Sequence, residues 1–495
     1  MEVNRKALVI GGALLCGVTS VTMADTAATT DVSAQISALQ AQVAAQQAQI
    51  ADLKAKSDQN WLNEQRTEEV KGLIHDALAD ADTRASLASD NAVAGNDGKF
   101  FIKTADDSFR LNIGAQIQVR YVANIKGASP ANTGHEDGFQ IRRIEPSFDG
   151  YIGNPKFEYQ VVLQSDRGTG TEQDKIAKIQ YAFDLGSDQY VKVFGGRIYD
   201  TFGREAQMSS RSQQTVERSA VDYVFCSNDD IVEGIGAEWN PLPEYLKLDV
   251  TFTDGMNSGT NLNPETTNLP AAKAAAQTGL INDNGDDFAT TNSEYAFTGR
   301  ADVKIVGDWK QEADVESWST NPDFQAFVGI AGHYEENNRN DQAGTAAGTG
   351  VSYGSFSEWT ADTLVKCHGF GAMASFFGAH FNDMTRTSGV TSLQYWGATA
   401  QAGYTIKDKV EPFVRYEWLF PDGNLHTNQV NIVTIGANYF IKKHVAKFTV
   451  DSMWVLDNLN ATNTGNQSLS GTGLVNDVAT RKNEVVIRAQ FQLLF

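Results

Sequence analysis

Two hydrophobic periods divide the chain. From Phe109 onward the apolar positions recur every second residue. Phe109, Leu111, Ile113, Ala115, Ile117, Val119 and Tyr121 alternate with Arg110, Asn112, Gly114, Gln116, Gln118 and Arg120. At the other end Val485, Ile487, Ala489, Phe491, Leu493 and Phe495 share one face. Arg488, Gln490 and Gln492 take the other, with Val486 and Leu494 as exceptions. Period two puts one row of side chains on each face of an extended strand. Similar segments between these ends, such as 139–152, 174–185, 294–305 and 444–456, bring the expected number of strands to sixteen.

Connection lengths sharpen the picture. Gly153-Asn154-Pro155, Gly186-Ser187-Asp188, Pro241-Leu242-Pro243, Cys367-His368, Ile406-Lys407-Asp408 and Lys442-Lys443 are short. They alternate with long segments at 199–230, 254–293, 335–354 and 457–483. A soluble sandwich also has half-buried strands, but nothing in it requires short and long connections to alternate. An even number of strands with that alternation predicts an all-β fold: a 16-stranded antiparallel transmembrane β-barrel over 108–495, apolar outside and wet inside. The segment 306–322 breaks the rule, being long where a short turn is expected. Two irregularities of phase stand out. Arg142 and Arg143 cannot both face inward without a bulge, and the apolar face of 391–405 switches near Tyr395 and Trp396.

Upstream the period changes to that of a helix. Ile36, Leu39, Val43, Ile50 and Leu53 follow 3-4 spacing over 31–65, with Gln46 at an inner position, which predicts a short α-helical coiled-coil segment in the periplasm. Residues 66–107 are acidic and Ala-rich and are expected to be a helix end and linker. Residues 1–24 have the form of a signal peptide: Arg5 and Lys6, an apolar run, then Thr22-Met23-Ala24. A lipoprotein signal at Cys16 is disfavoured by the bulky Leu15 before it. No later apolar run is long enough for a transmembrane helix, so only strands are left to cross a membrane.

Composition narrows the function. The formal net charge of −21 argues against nucleic acid as a partner. The chain has 26 Phe, 15 Tyr and 8 Trp, enough aromatic side chains for two interfacial girdles. Of three cysteines, Cys226 and Cys367 fall at opposite ends of the expected barrel, which disfavours a disulfide. The seven histidines show no metal-ligand spacing and no nucleophile-elbow motif occurs, so no metal, cofactor or catalytic site is expected. An outer-membrane hydrolase is a minor alternative.

The connection after the fifth strand carries the most chemistry. It runs from Gly195-Gly196-Arg197 through Phe202-Gly203-Arg204-Glu205 and Arg211 to Glu217-Arg218-Ser219. Arg204, Arg211 and Arg218 are seven apart. Folded inward, they would present guanidiniums to a passage, where Arg suits phosphate and carboxylate oxygens. The adjoining Glu205 and Glu217 support a second reading, in which ion pairs fasten the segment to the wall. Strand phase also turns Arg110, Arg120, Arg300, Lys304, Arg415 and Arg488 inward, with Lys247, Asp249, Asp302, Glu411, Glu417, Lys447 and Asp451. Opposite charges on facing walls give a transverse field. A charge on the wet face is also the inexpensive default, since the lipid face costs about 2–4 kcal/mol at the midplane.

The chain resembles the phosphate-selective porin O and P family. The similarity rests on Phe139-Gln140-Ile141-Arg142-Arg143, Gly150-Tyr151-Ile152, Lys156-Phe157-Glu158-Tyr159, Ile179-Gln180-Tyr181-Ala182, Gly196-Arg197, Phe202-Gly203-Arg204-Glu205 and Glu217-Arg218-Ser219. It implies a trimeric outer-membrane channel whose loop after the fifth strand folds inward, and in some members phosphate selectivity. Tyr199, Asp200 and Thr201 stand where many members carry a Lys and a Pro, so one cation of that pattern is missing. The expectation is passive diffusion of small hydrophilic solutes and ions, with an anion or phosphate preference, through a homotrimer seated in outer-membrane lipid. The alternative is a structural envelope protein whose helix tethers the barrel to peptidoglycan.

Overall fold

The computed structural model describes residues 28–61, 92–126, 134–165, 172–226, 231–255, 293–318, 323–337, 355–382, 392–421, 429–459, 469–474 and 484–495. Among the described residues of the first of two compact units there is one helix, Ala28–Trp61. Its heptad residues Leu39, Val43, Ile50 and Leu53 are 49–65% exposed, so no element described here covers the seam. The expected signal peptide and most of the expected linker lie outside the described residues.

The second unit is one antiparallel sheet. A hairpin of β1 (Ala92–Asn96) and β2 (Phe100–Thr104) leads in, within the stretch expected to be linker. Five-residue strands are too short for alternation to stand out in the sequence. Sixteen further strands follow: β3 (Phe109–Ile125), β4 (His135–Ile152), β5 (Asn154–Ser165), β6 (Glu172–Gly186), β7 (Gln189–Tyr199), β8 (Ile231–Leu242), β9 (Leu246–Thr253), β10 (Ser293–Val306), β11 (Gln325–Asn337), β12 (Ser355–Cys367), β13 (Phe370–Asn382), β14 (Leu393–Tyr404), β15 (Val410–Pro421), β16 (Val430–Lys442), β17 (Ala446–Val455) and β18 (Val485–Leu494). Each pairs with its sequence neighbour, and β18 closes the ring on β3, from Val485 opposite Ile125 to Leu494 opposite Gln116. Below that pairing β2 takes over the same edge, with Phe100 opposite Ile113 and Lys103 opposite Arg110. Among the described residues the ring of β3 to β18 is therefore closed, with each of its strands paired on both sides.

The period-two pattern dictates the wall. On β15 Glu411, Phe413, Arg415, Glu417 and Leu419 are buried inside, while Val410, Val414, Tyr416 and Phe420 are exposed outside. Trp359, Phe376, Trp396, Trp418 and Phe420 form a connected aromatic ridge on that outer face, with neighbouring ring centroids 5.5–6.5 Å apart. Tight turns join strands at one end. His368 and Gly369, at φ 46° and 90°, form the two-residue β12–β13 turn, whose handedness matches the strand twist.

A sixteen-stranded cylinder is too wide for its wall side chains to fill. Among the described residues three connecting segments turn inward instead: 200–226, 307–318 and 469–474. Phe202, Tyr223 and Phe225 meet Phe356, Phe381, Tyr395, Leu419, Ile432, Met453 and Val486 of the wall, with Leu459, Leu469 and Leu474, in one buried cluster. This explains the irregular phase of 391–405. Tyr395 points inward into that cluster and is 4% exposed. Trp396 points outward, and the β13–β14 register runs unbroken. The double arginine is resolved by a bulge: Gln118 pairs with Arg143 and Val119 with Ile141, leaving Arg142 as the extra residue. The long 306–322 connection holds a 3-10 turn, Trp309–Ala313, capped by the Asp308 side chain. Its Val315 joins Met208, Phe327, Leu364 and Met373 in a second buried cluster.

Candidate permeation site

Segment 200–226 leaves the end of β7 and returns to β8 across the barrel interior. Gly203 lets it fold tightly: a Cβ there would meet Cys226 Sγ at 2.5 Å. Cys226 and Cys367 are both free thiols. Ser219 caps the helix Ala220–Phe225, accepting from the Asp222 backbone N–H and donating to Glu205 Oε2 at 2.7 Å.

Buried ion pairs then fix the segment to the wall. Glu217 accepts from Arg142 Nε at 2.6 Å and Arg143 Nη2 at 2.6 Å, with Arg120 Nη1 at 3.5 Å. Burial opposes ionisation of Glu217, but the three guanidiniums outweigh it and hold the carboxyl well below the usual range. Arg204 donates to Asp302 at 2.7 Å, to Glu312 at 3.1 Å and to Asp362. Arg300 lies beside it, bidentate on Asp302 and donating 2.8 Å to the Phe202 carbonyl. Arg415 pairs with Glu417 at 2.8 Å and reaches Glu205 at 3.5 Å. Arg218 spends its guanidinium inside the segment, on the carbonyls of Glu205, Ala206 and Met208.

The other expected residues fall into place around this. Arg488 is bidentate on Asp451, both contacts 2.7 Å, and donates to the Thr472 carbonyl. Arg120 donates to the Gly471 carbonyl at 2.8 Å, so both clamp the third inward segment. Arg197 pairs with Glu233 at 2.9 Å. Arg110 sits at the short-turn rim, paired with Asp97 at 2.6 Å, and Lys304 lies 3.6 Å from Glu244. Arg211 is half-buried and has no carboxylate partner among the described residues; its Nε donates to Ser209 Oγ at 3.0 Å.

The interior is lopsided. On β10 to β18 the inward residues are buried under the three segments. On β5 to β8 the short-turn half is open: Glu158 is exposed, and Gln160, Lys178, Gln180, Lys192 and Glu238 are half-buried, whereas Gln164, Lys175 and Arg197 further along are buried. A cavity of about 460 Å³ lies against β3 to β6, lined by Lys99, Arg110, Asp149, Glu158, Lys178 and neighbours. Lys192 pairs with Glu238 at 3.1 Å and Lys99 with Asp149 at 2.6 Å. Lys178 has no ion-pair partner among the described residues, and its Nζ lies 5.8 Å over the Phe194 ring. These lysines were within reach of strand phase, since Lys178 and Gln180 alternate with Ile179 and Tyr181. What phase does not carry is which inward charges the folded-in segments cover.

A family model described as phosphate-selective porin O and P matches residues 111–493. None of the curated proteins matches the chain in sequence. Solved structures similar to it include OmpF of Salmonella typhi in complex with daunomycin, at 12% identity and TM-score 0.48 over 78% of this chain and 99% of that one. The outer membrane channel DcaP of Acinetobacter baumannii is 12% identical with TM-score 0.46, over 78% and 98%. An anion-selective porin from Comamonas acidovorans is 9% identical with TM-score 0.46, over 78% and 99%.

Proposed function

This chain belongs to the phosphate-selective porin O and P family, and from that premise we propose how it, as an outer-membrane channel for small solutes, passes them. Hydrophilic solutes and ions diffuse down their gradients along the open strip of β5 to β8. Segment 200–226 is the constriction, and the short-turn end faces the periplasm. The observation that carries this reading is the lopsided interior: polar side chains stay uncovered on one side and packed segments fill the other.

The preference is for anions, and it rests on one of the expected loop arginines, Arg211, together with a wall lysine, Lys178. Arg204 faces three carboxylates and Arg218 three carbonyls, which argues for a fastening role at both. Lys178 and Arg211 make no ion-pair contact with a carboxylate among the described residues, and a cation not neutralised by direct contact gives a passing anion a local positive potential. The test is reversal potential across a KCl gradient in planar bilayers, repeated with phosphate added. An anion-side potential, with phosphate lowering the chloride current, supports the proposal; a cation-side potential with no phosphate block refutes it.

The exposed Leu39, Val43, Ile50 and Leu53 favour a second, compatible role. The helix pairs with its copies in a homotrimer and tethers the barrel to peptidoglycan. Deleting 31–90, which leaves the β1–β2 hairpin on the barrel, tests this: permeability persists while the envelope detaches if the tether is real, and the envelope stays attached if it is not.

A further inference from the structure

We propose that Asp314, Glu316 and His444 bind a divalent transition-metal ion of the Zn²⁺ class, and that the ion clamps segment 307–318 to the β16–β17 turn at the short-turn mouth. Their donor atoms lie within 4.8 Å of one another. His444 Nε2 is 3.1 Å from Asp314 Oδ2 and 3.6 Å from Glu316 Oε2. In a tetrahedral site with metal–ligand bonds of about 2.0–2.1 Å, neighbouring donor atoms stand about 3.3–3.4 Å apart. The two observed edges bracket that value.

Glu316 points to a ligand independently. It is fully buried, and neither carboxylate oxygen has a hydrogen-bond partner among the described residues. A buried carboxylate without a donor is costly, and a cation between it and the imidazole removes that cost. The surroundings preset the other two ligands. Lys366 Nζ holds Asp314 Oδ1, leaving Oδ2 for the site. Trp318 and Phe440 meet the imidazole edge-on, at 5.5 and 6.0 Å, and fix its plane. Glu411 and Lys447 act on Glu316 at longer range with opposite sign. One imidazole and two carboxylates suit Zn²⁺; Mg²⁺ and Ca²⁺ take six or more oxygens. Water supplies the remaining position.

The clamp has mechanical meaning. Segment 307–318 is also held by Gly369 N–H on Ser317 Oγ at 3.1 Å and by Trp309 Nε1 on the Pro243 carbonyl at 2.8 Å. The ion would add a bond between this segment and a turn far away in sequence. A proton on His444 Nε2 accounts for the same distances, and the test separates the two. Full-length protein in detergent, stripped with chelator, is titrated with ZnCl₂ or MgCl₂. We expect one equivalent of zinc per chain above the level of a His444→Gln/Glu316→Gln double variant. We also expect a rise in the temperature at which the compact electrophoretic band unfolds, and neither effect with magnesium. Glu316→Gln alone should weaken zinc at least about tenfold, whereas His135→Gln, on the surface, should not. Zinc retention equal in parent and double variant overturns the proposal. If the double variant does not fold, Co²⁺ added to the parent decides: intense tetrahedral visible bands support the site, and the pale aqueous spectrum refutes it.

Discussion

Glu217→Gln is the sharpest probe of how the constriction is held. The carboxylate has contacts of 2.6 Å to Arg142 and to Arg143 and of 3.5 Å to Arg120. All four side chains are at most 4% exposed. At an effective dielectric near 20, each pair about 4 Å apart is worth about 4 kcal/mol of gross attraction. Desolvation and repulsion among the arginines cancel most of the sum. Removing one partner of a buried pair costs about 3–5 kcal/mol. At 1.4 kcal/mol per factor of ten, that moves the anchored-to-released equilibrium of the segment by roughly two to three and a half powers of ten. Arg204 still holds the other end and Arg415 still donates to the Glu217 carbonyl at 2.9 Å, so the barrel should fold and close. Single-channel recordings should show higher mean conductance and more open-channel noise. A cycle with Arg142→Gln should be non-additive, because both changes break one hub. The pH dependence has a definite sign. A depressed carboxyl pKa contributes stability that is present above its unfolded value and lost as pH falls through the folded one. Anchoring through Glu217 should therefore persist at and somewhat below pH 4.5 and fail only in stronger acid. A folded Glu217→Gln barrel with unchanged conductance and noise would refute the reasoning.

Other changes test other parts of the interior. Lys178→Glu reverses the charge of a lysine that has no ion-pair contact among the described residues and should move the KCl-gradient reversal potential toward cations; no shift would remove Lys178 from the path. In Gly371→Ala the new Cβ would sit 1.9 Å from the Val315 carbonyl oxygen, so segment 307–318 must lift and conductance should rise. Gly299→Ala, with nothing within 4 Å, is the control and should leave conductance unchanged. Arg488→Gln strands Asp451 at the β17–β18 seam and should cost about 3–5 kcal/mol, read as a lower unfolding temperature of the compact band.

Most of the wall was legible in the sequence because one face of every strand must be apolar. The contents of the lumen were not, because period two reports only inside or outside. Tyr395 looked like a fault in the pattern, yet it is an ordinary inward residue packed against other inward apolar groups. Arg204 and Arg218 looked like a basic ladder, but their partners at 302, 312 and 362, or on their own backbone, bear no fixed spacing to them. The same is true of Asp314, Glu316 and His444, which meet only after the barrel closes. The double arginine was the exception: two adjacent charges cannot both point inward from a regular strand, and that conflict foretold the bulge.

The most direct test is thiol access from inside an open channel. Lys178→Cys and Thr434→Cys are made in a Cys367→Ser background, leaving the buried Cys226. Each is reconstituted in a planar bilayer and exposed to a charged thiosulfonate. The account predicts ohmic channels in both, with the current reduced by the reagent only in Lys178→Cys, because Thr434 lies under the packed segments. Block through Thr434→Cys with none through Lys178→Cys, or a folded protein that does not conduct at all, would contradict it.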